Sequence, residues 1–229
     1  LATGASPWVP PIPGVQGVDY LTSSTAMEMT GIPGSLIVLG ANAVGLEMAQ
    51  LFARAGSNVT LVELEERIAP AEDQELGALL RAYLKADGIR VVTSFRTEQM
   101  KKKPSGVILH GLQENHSVSL EANRLLVATG RKPNTKDLGL ERAMVRAGLK
   151  GEVLVNDNLQ TSNPAVYAAG DVTGRDMFVY VAAYAGALAA DNALGGKSRV
   201  YDTEHIPRVM FTDPQIASAG LTEEQARAS

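Results

Sequence analysis

The residues best suited to chemistry form one short run, Gly40-Ala41-Asn42-Ala43-Val44-Gly45, between an apolar stretch and an amphipathic one. At a strand-to-helix junction such a run makes a phosphate cradle. The first glycine permits a tight turn, and the last lets helix and strand approach closely. The helix N-terminus offers free N–H groups and partial positive charge to a pyrophosphate. The middle position, glycine in the common fingerprint, is Asn42. Asparagine tolerates unusual backbone angles but carries a side chain, which alters the approach of a phosphate. A lone degenerate glycine run also describes a plain tight turn; the flanking strand, helix and acid give it weight. That acid, Glu63, closes the next apolar stretch. A carboxylate there accepts both ribose hydroxyls of the adenosine half of NAD and repels the 2′-phosphate of NADP. Two like charges at ~4 Å cost ~4 kcal/mol at an effective dielectric near ~20, enough to set a preference. Arg67, close in sequence, offsets part of that repulsion. Glu47, one turn into the helix and turned from solvent by pattern, either reaches toward a nicotinamide or is an acid favoured by the helix dipole. Further on, Ala168-Ala169-Gly170-Asp171-Val172 ends a run of small residues in Gly-Asp. Small residues let a cofactor approach the backbone, and the aspartate can hold a sugar-alcohol hydroxyl.

Positioning these groups requires alternating strands and helices. The pattern predicts strands over 35–40, 58–63, 89–93 and 124–130 and helices over 43–55 and 73–86, the latter through Leu76, Leu79, Leu80, Tyr83 and Leu84. This rhythm implies a parallel sheet with right-handed crossovers. Residues 107–112 and 117–120 suggest an antiparallel pair. Beyond 134 the texture changes to short strands at 153–155 and 166–168 and an alanine-rich helix over 180–194, expected to be buried. A strand over 208–211 and a helix start at 222–226 follow. Residues 6–17, rich in proline, read as an extended connector. A weak echo relates residues 2–7 to 128–133; it suggests that the chain leaves one domain at the first copy and returns at the second.

Composition narrows the function. The 229 residues are 45% hydrophobic and 20% charged, with a net charge of −4, which disfavours a nucleic-acid partner. No apolar run is long enough to span a membrane. Lys101-Lys102-Lys103, followed by Pro104, reads as a solvated loop. There are no cysteines, and the three histidines are scattered in sequence, so no metal site is expected. The chain opens on Leu1 and closes inside a young helix, so we expect a fragment truncated at both ends.

In order, residues 2–7 (Ala-Thr-Gly-Ala-Ser-Pro), 40–47 (Gly-x-Asn-x-x-Gly-x-Glu), the strand ending in Glu63, 128–134 (Ala-Thr-Gly-Arg-Lys-Pro-Asn) and 161–172 (Thr-Ser-Asn-Pro-Ala-Val-Tyr-Ala-Ala-Gly-Asp-Val) resemble the pyridine nucleotide–disulfide oxidoreductase family. Several motifs in order are far more specific than any one. The resemblance implies an α/β, Rossmann-like fold with two dinucleotide-binding domains, holding FAD and NAD(P)H. It implies that 1–21 are the end of a first FAD-domain segment and a connector, and 22–133 the NAD(P)-binding domain. Residues 134–205 would be the second FAD-domain segment, and 206–229 the start of an α+β dimerisation domain. By the same resemblance Thr3 and Gly4 line the FAD adenosine–pyrophosphate path, and Gly130 lies against the nicotinamide nucleotide. Asp171 binds the flavin ribityl chain, and Met177, Phe178, Val179 and Tyr180 contact the flavin side. Glu47 sits near nicotinamide and flavin, paired with a lysine outside this chain. The implied activity passes electrons from NAD(P)H through FAD to a thiol/disulfide centre. Residues 178–183 and 209–215 are most similar to a branch of the family that reduces a metal ion; disulfide reduction of the lipoamide type is the alternative, and a nucleotide-binding module without activity a third reading. The redox cysteines, the metal-delivering cysteines and the acid–base His–Glu pair implied by the family fall outside the chain, so no catalytic nucleophile is named within it. The resemblance implies a cytoplasmic homodimer acting on a small molecule or metal ion.

Overall fold

The structure, a computed structural model, describes residues 1–195 and 198–228. In chain order the elements are β1 (Ala5–Pro7), β2 (Tyr20–Leu21), α1 (Ser23–Met27), β3 (Ser35–Leu39), α2 (Ala43–Arg54), β4 (Asn58–Val62), α3 (Gln74–Ala86), β5 (Arg90–Val92), β6 (Phe95–Lys103), β7 (Gly106–Gln113), β8 (His116–Ala122), β9 (Arg124–Val127), β10 (Arg131–Pro133), α4 (Val179–Gly195), β11 (Arg208–Met210), β12 (Ile216–Ser218) and α5 (Glu223–Ala228). The chain divides into two compact units, one of Leu1–Ser6 with Arg131–Arg208, the other of Pro7–Gly130 with the chain from Val209 onward. No helix among the described residues is long and apolar enough to cross a membrane.

The larger unit is built on a five-stranded sheet ordered β2-β9-β3-β4-β5, all of whose pairs are parallel. Its centre, β3, is apolar on both faces, as a strand covered from both sides must be. Alternate residues serve opposite layers. Leu36 and Val38 pack with Leu46, Ala49 and Phe52 of α2 and Leu80 and Leu84 of α3. Ile37 and Leu39 pack with Phe95, Met100, Val107 and Leu109 of a second, antiparallel sheet ordered β6-β7-β8. Helices, parallel sheet and antiparallel sheet thus form three layers with two apolar seams. Each fully buried leucine in them contributes roughly 1.5–3 kcal/mol.

β6 departs from expectation. Lys101, Lys102 and Lys103 lie on this strand rather than in a loop, paired with Ile108, Val107 and Gly106 of β7. Only Phe95 and Met100 of its nine residues are buried, and a register shift at Thr97/Gln99 breaks the alternation. An almost wholly polar strand of this kind is held by its partner's backbone, which local hydrophobic periodicity does not report. Lys102 Nζ donates to Asp19 and Lys103 Nζ to Glu121, each at 2.6 Å.

The smaller unit has two apolar clusters, Leu140, Val145, Val153, Ala168 and Val172 in one, and Leu159, Ala169, Ala185, Leu188 and Ala189 in the other. The expected strands at 153–155 and 166–168 are reduced to isolated bridges, Ala147 to Val153, Val155 to Thr161 and Gln160 to Tyr167. Asn156 Oδ1 accepts from the backbone N–H of Asn158 and Gln160, and Asn163 Oδ1 from that of Ala165. These local bonds turn the chain before a ladder can extend. Helix α4, expected to be buried, buries one face through Val181, Ala185, Leu188, Ala189 and Asn192, while Val179 and Leu194 are exposed.

In the larger unit, the turn after β11 is tied to α2 by side chains. Glu47 Oε1 accepts from Phe211 N–H at 2.8 Å, and Gln50 Oε1 accepts from Asp213 N–H at 2.7 Å. Gln50 Nε2 donates to the Asp213 carbonyl and to Asp87 Oδ2, and Arg54 bridges Asp87 and Asp213. The Gln50 amide, then Arg54, holds the Asp87 carboxyl below its ordinary range against the opposing effect of burial. A depressed folded value means that this stabilisation is present above the unfolded carboxylate value of about 3.9 and is lost as pH falls through the folded one. Gln50→Ala is expected to cost about 1–3 kcal/mol in urea unfolding and to expose the Asp213 amide to hydrogen exchange. Unchanged stability and unchanged exchange would show that the network holds nothing.

Candidate dinucleotide site

The parallel register brings the C-terminal ends of β3, β4 and β9 side by side, Leu39 opposite Val62 and Val127. Gly40 leaves β3 at φ 105°, and a Cβ there would lie 2.5 Å from the Ala128 carbonyl oxygen. Gly45, buried on the first turn of α2, is tighter still: its Cβ would lie 1.8 Å from the Gly40 carbonyl oxygen. Ala41 is fully buried and its N–H donates to Glu63 Oε2 at 2.6 Å. Asn42 does not adopt the unusual backbone its type allows. It is extended, caps α2 by accepting from Ala43 N–H through Oδ1 at 3.0 Å, and its carbonyl receives Leu46 N–H. The extended backbone is the ordinary conformation of a helix N-cap. Among the described residues no acceptor takes the N–H groups of Asn42, Val44 or Gly45. Val44 is exposed beside them, and Ala43 half-buried. The cradle therefore has the backbone clearance and the unsatisfied donors that a pyrophosphate requires.

Glu63 is half-buried at the end of β4. Besides Ala41, it receives Leu64 N–H at 2.7 Å and Glu65 N–H at 3.1 Å on Oε1. A carboxylate has about four acceptor positions, so room remains for a hydroxyl donor. Arg67 donates to the carbonyls of Glu72 and Pro70. It stiffens the loop whose Ala69 N–H meets the Ala41 carbonyl, instead of pairing with Glu63. Gly130 is exposed at φ 135°, its carbonyl receiving Trp8 N–H at 2.9 Å. Glu47 is half-buried on α2, and the bond it makes is to the Phe211 N–H already described.

The remaining candidates lie in the smaller unit. Thr3 Oγ1 donates to the Asn134 carbonyl, and Asn134 N–H donates to the Gly4 carbonyl, so both residues are zipped to the chain after β10. Asp171 sits on a 3-10 turn, Gly170–Thr173, with Arg131 Nε 3.4 Å from its Oδ2. A Cβ on Gly170 would lie 3.1 Å from Ala182 Cβ, a close approach of this turn to α4. Met177 and Phe178 precede α4, which begins at Val179. The Phe178 and Tyr180 rings stack at 5.5 Å, and the Tyr180 hydroxyl donates to the Pro207 carbonyl. Arg131 belongs to the 128–134 motif, and only folding brings it to Asp171, 40 residues on in sequence. His205, scattered in sequence from the other histidines, lies with Asp202 and Glu204, their ligand atoms within 4.8 Å of one another; all three side chains are exposed, as a solvated surface group would be.

Gly45→Ala forces a methyl group into the Gly40 carbonyl. The substitution is expected to cost about 1–3 kcal/mol of stability and to weaken NADH binding, measured by fluorescence quenching, by at least roughly tenfold. Wild-type affinity in a folded variant would contradict the cradle.

Residues 1–186 match the sequence profile of pyridine nucleotide-disulphide oxidoreductases. Mercuric reductase of Streptomyces lividans is 46% identical over 225 residues, covering 98% of this chain and 47% of the relative. Dihydrolipoyl dehydrogenase of Thermus scotoductus is 41% identical over 231 residues, covering 99% of this chain and 49% of the relative. Among solved structures, the HOCl-induced flavoprotein disulfide reductase RclA from Escherichia coli superposes with a TM-score of 0.88 at 31% identity, covering 99% of this chain and 52% of that one. The chain spans between 36% and 49% of the length of the curated relatives it is compared with. The family's enzymes depend on FAD and NAD(P)H. By the match over residues 1–186, in line with its three-layered larger unit and close glycine turn, this chain belongs to the pyridine nucleotide-disulphide oxidoreductase family.

Proposed function

We propose that the full-length protein takes electrons from NAD(P)H and passes them through FAD and a thiol/disulfide centre to Hg(II), releasing Hg(0). The observation that carries the reading is the cradle itself: two glycines under carbonyl contact and unbonded N–H groups at the start of α2. Residues 22–133 then form the NAD(P)-binding domain, 134–205 the second FAD-domain segment, and 206 onward the start of a dimerisation domain. When bound, the two cofactors supply two-electron redox chemistry that no side chain of this chain can perform.

This chain's own residues bind and orient. The N–H groups of Asn42, Val44 and Gly45 hold a pyrophosphate, with Ala41 and Ala43 shaping the floor. Glu63 accepts ribose hydroxyls, which favours NADH. Gly130 leaves space for the nicotinamide nucleotide. Asp171 accepts a hydroxyl of the flavin side chain, while Thr3, Gly4 and residues 177–180 line the flavin path. Glu47, fastened to the Phe211 backbone, holds its carboxylate at a fixed point on α2. The likeness to mercuric reductases and the residues at 178–183 and 209–215 support Hg(II) as acceptor. A second reading, reduction of a lipoamide-type disulfide, is supported by the dihydrolipoyl dehydrogenase likeness at 41% identity. We further propose that the full-length protein works as a cytoplasmic homodimer.

Purified full-length protein with FAD is expected to oxidise NADH in the presence of thiol-complexed Hg(II) and not in its absence. Turnover with lipoamide but not with Hg(II) would overturn the mercury assignment and leave the two-cofactor scaffold. Glu63→Gln removes the charge that opposes a 2′-phosphate and is expected to raise the NADPH/NADH ratio of kcat/KM by at least roughly tenfold. An unchanged ratio would remove Glu63 from cofactor choice.

A further inference from the structure

Arg131 opens β10 directly after Gly130 and is the one side chain that reaches the Asp171 carboxylate among the described residues. Its guanidinium makes two contacts within the smaller unit. Nε lies 3.4 Å from Asp171 Oδ2, and a terminal N–H donates to the Ala5 carbonyl on β1. The aspartate's backbone is fixed separately, in a turn where Thr173 Oγ1 donates to the Gly170 carbonyl at 2.9 Å. With one carboxylate oxygen engaged by Arg131, the other has no donor among the described residues. The same guanidinium also borders an open cleft with Pro133, Val155, Thr173, Arg175 and Met177.

A planar guanidinium presents several donors in a fixed fork, so it can engage a carbonyl with one arm and a carboxylate with another. A lysine ammonium on a flexible stem imposes far less orientation. The pair is not deeply buried, its side chains being 35% and 21% exposed. An ion pair of that exposure adds little to folding stability. Its consequence is orientation: it fixes which face of Asp171 remains open.

We propose that Arg131 is a positioning residue for the flavin site, clamping Asp171 to β1 so that its free oxygen meets a hydroxyl of the flavin's sugar-alcohol chain. The proposal rests on the reading of Asp171 as the holder of that chain. Arg131 acts through the aspartate, so its removal should matter only while Asp171 is present to be oriented.

The test is a double-mutant cycle in the full-length apoprotein, with FAD affinity read by flavin fluorescence and folding by thermal unfolding of the apo form. Arg131→Met is expected to weaken FAD binding by roughly tenfold, the scale of the one hydrogen bond that Asp171 would make to the flavin chain, with the apo unfolding midpoint within about 2 °C of the parent. Arg131→Lys should fall between the two. In the Asp171→Asn background, removing Arg131 should cost almost nothing further. Wild-type FAD affinity in Arg131→Met, or losses that multiply in the double variant, would overturn the proposal while leaving the Asp171 assignment intact. Wild-type affinity in Asp171→Asn would instead remove the Asp171 assignment and the proposal with it. Should Arg131→Met fail to fold, the cycle with Arg131→Lys carries the same discrimination.

Discussion

Helix α2 can begin where it does only because Gly45 has no side chain. A methyl group there would lie 1.8 Å from the carbonyl oxygen of Gly40, inside any permitted contact. That absence lets the first turn of the helix sit on the end of β3, and the rest of the site follows from it. Gly40 in turn presses on the Ala128 carbonyl at the end of β9, and the parallel register puts the end of β4 on the other side. Three strand ends and one helix start therefore meet at one point, as ligand sites of open parallel sheets do. The hydrophobic layers on either face supply rigidity, and the close glycine contact turns that rigidity into a cradle.

Glu63 serves the fold first, and under the proposed function the ligand as well. One oxygen receives the Ala41 N–H and the other receives two N–H groups at the strand end. The carboxylate therefore stitches β4 to the turn after β3 before any nucleotide arrives. Its orientation is fixed by backbone donors, so offering a lone pair to a ribose costs little reorganisation. Asn42 is comparable: its side chain is spent on capping α2, which keeps it off the N–H groups a phosphate would use.

The alternation of β3, α2, β4 and α3 was legible in the sequence because each element is amphipathic or apolar at its own period. The glycine run and Glu63 were legible as spacing on that frame. What local pattern could not show were partners distant in the chain. Glu47 finds a backbone N–H 164 residues away, and Arg54 meets Asp213 across 159 residues. Strand β6 carries too few buried residues to announce itself and depends on β7 for its geometry. The short strands at 153–155 and 166–168 failed for the opposite reason. Val153 and Ala168 are buried, but neighbouring asparagines capture the backbone that a ladder would need. Arg131 was visible in a motif, but its significance lies in a contact that only folding creates.

In the proposed function, nucleotide binds at the unbonded N–H groups that start α2. Amide-resolved hydrogen exchange of the full-length protein, with and without saturating NADH, tests it most directly. Slowed exchange at Asn42, Val44 and Gly45, with helix-interior amides of α2 unchanged, is the expected result. Saturable NADH binding that leaves those three amides exchanging at their free rates would contradict it and move the nucleotide elsewhere.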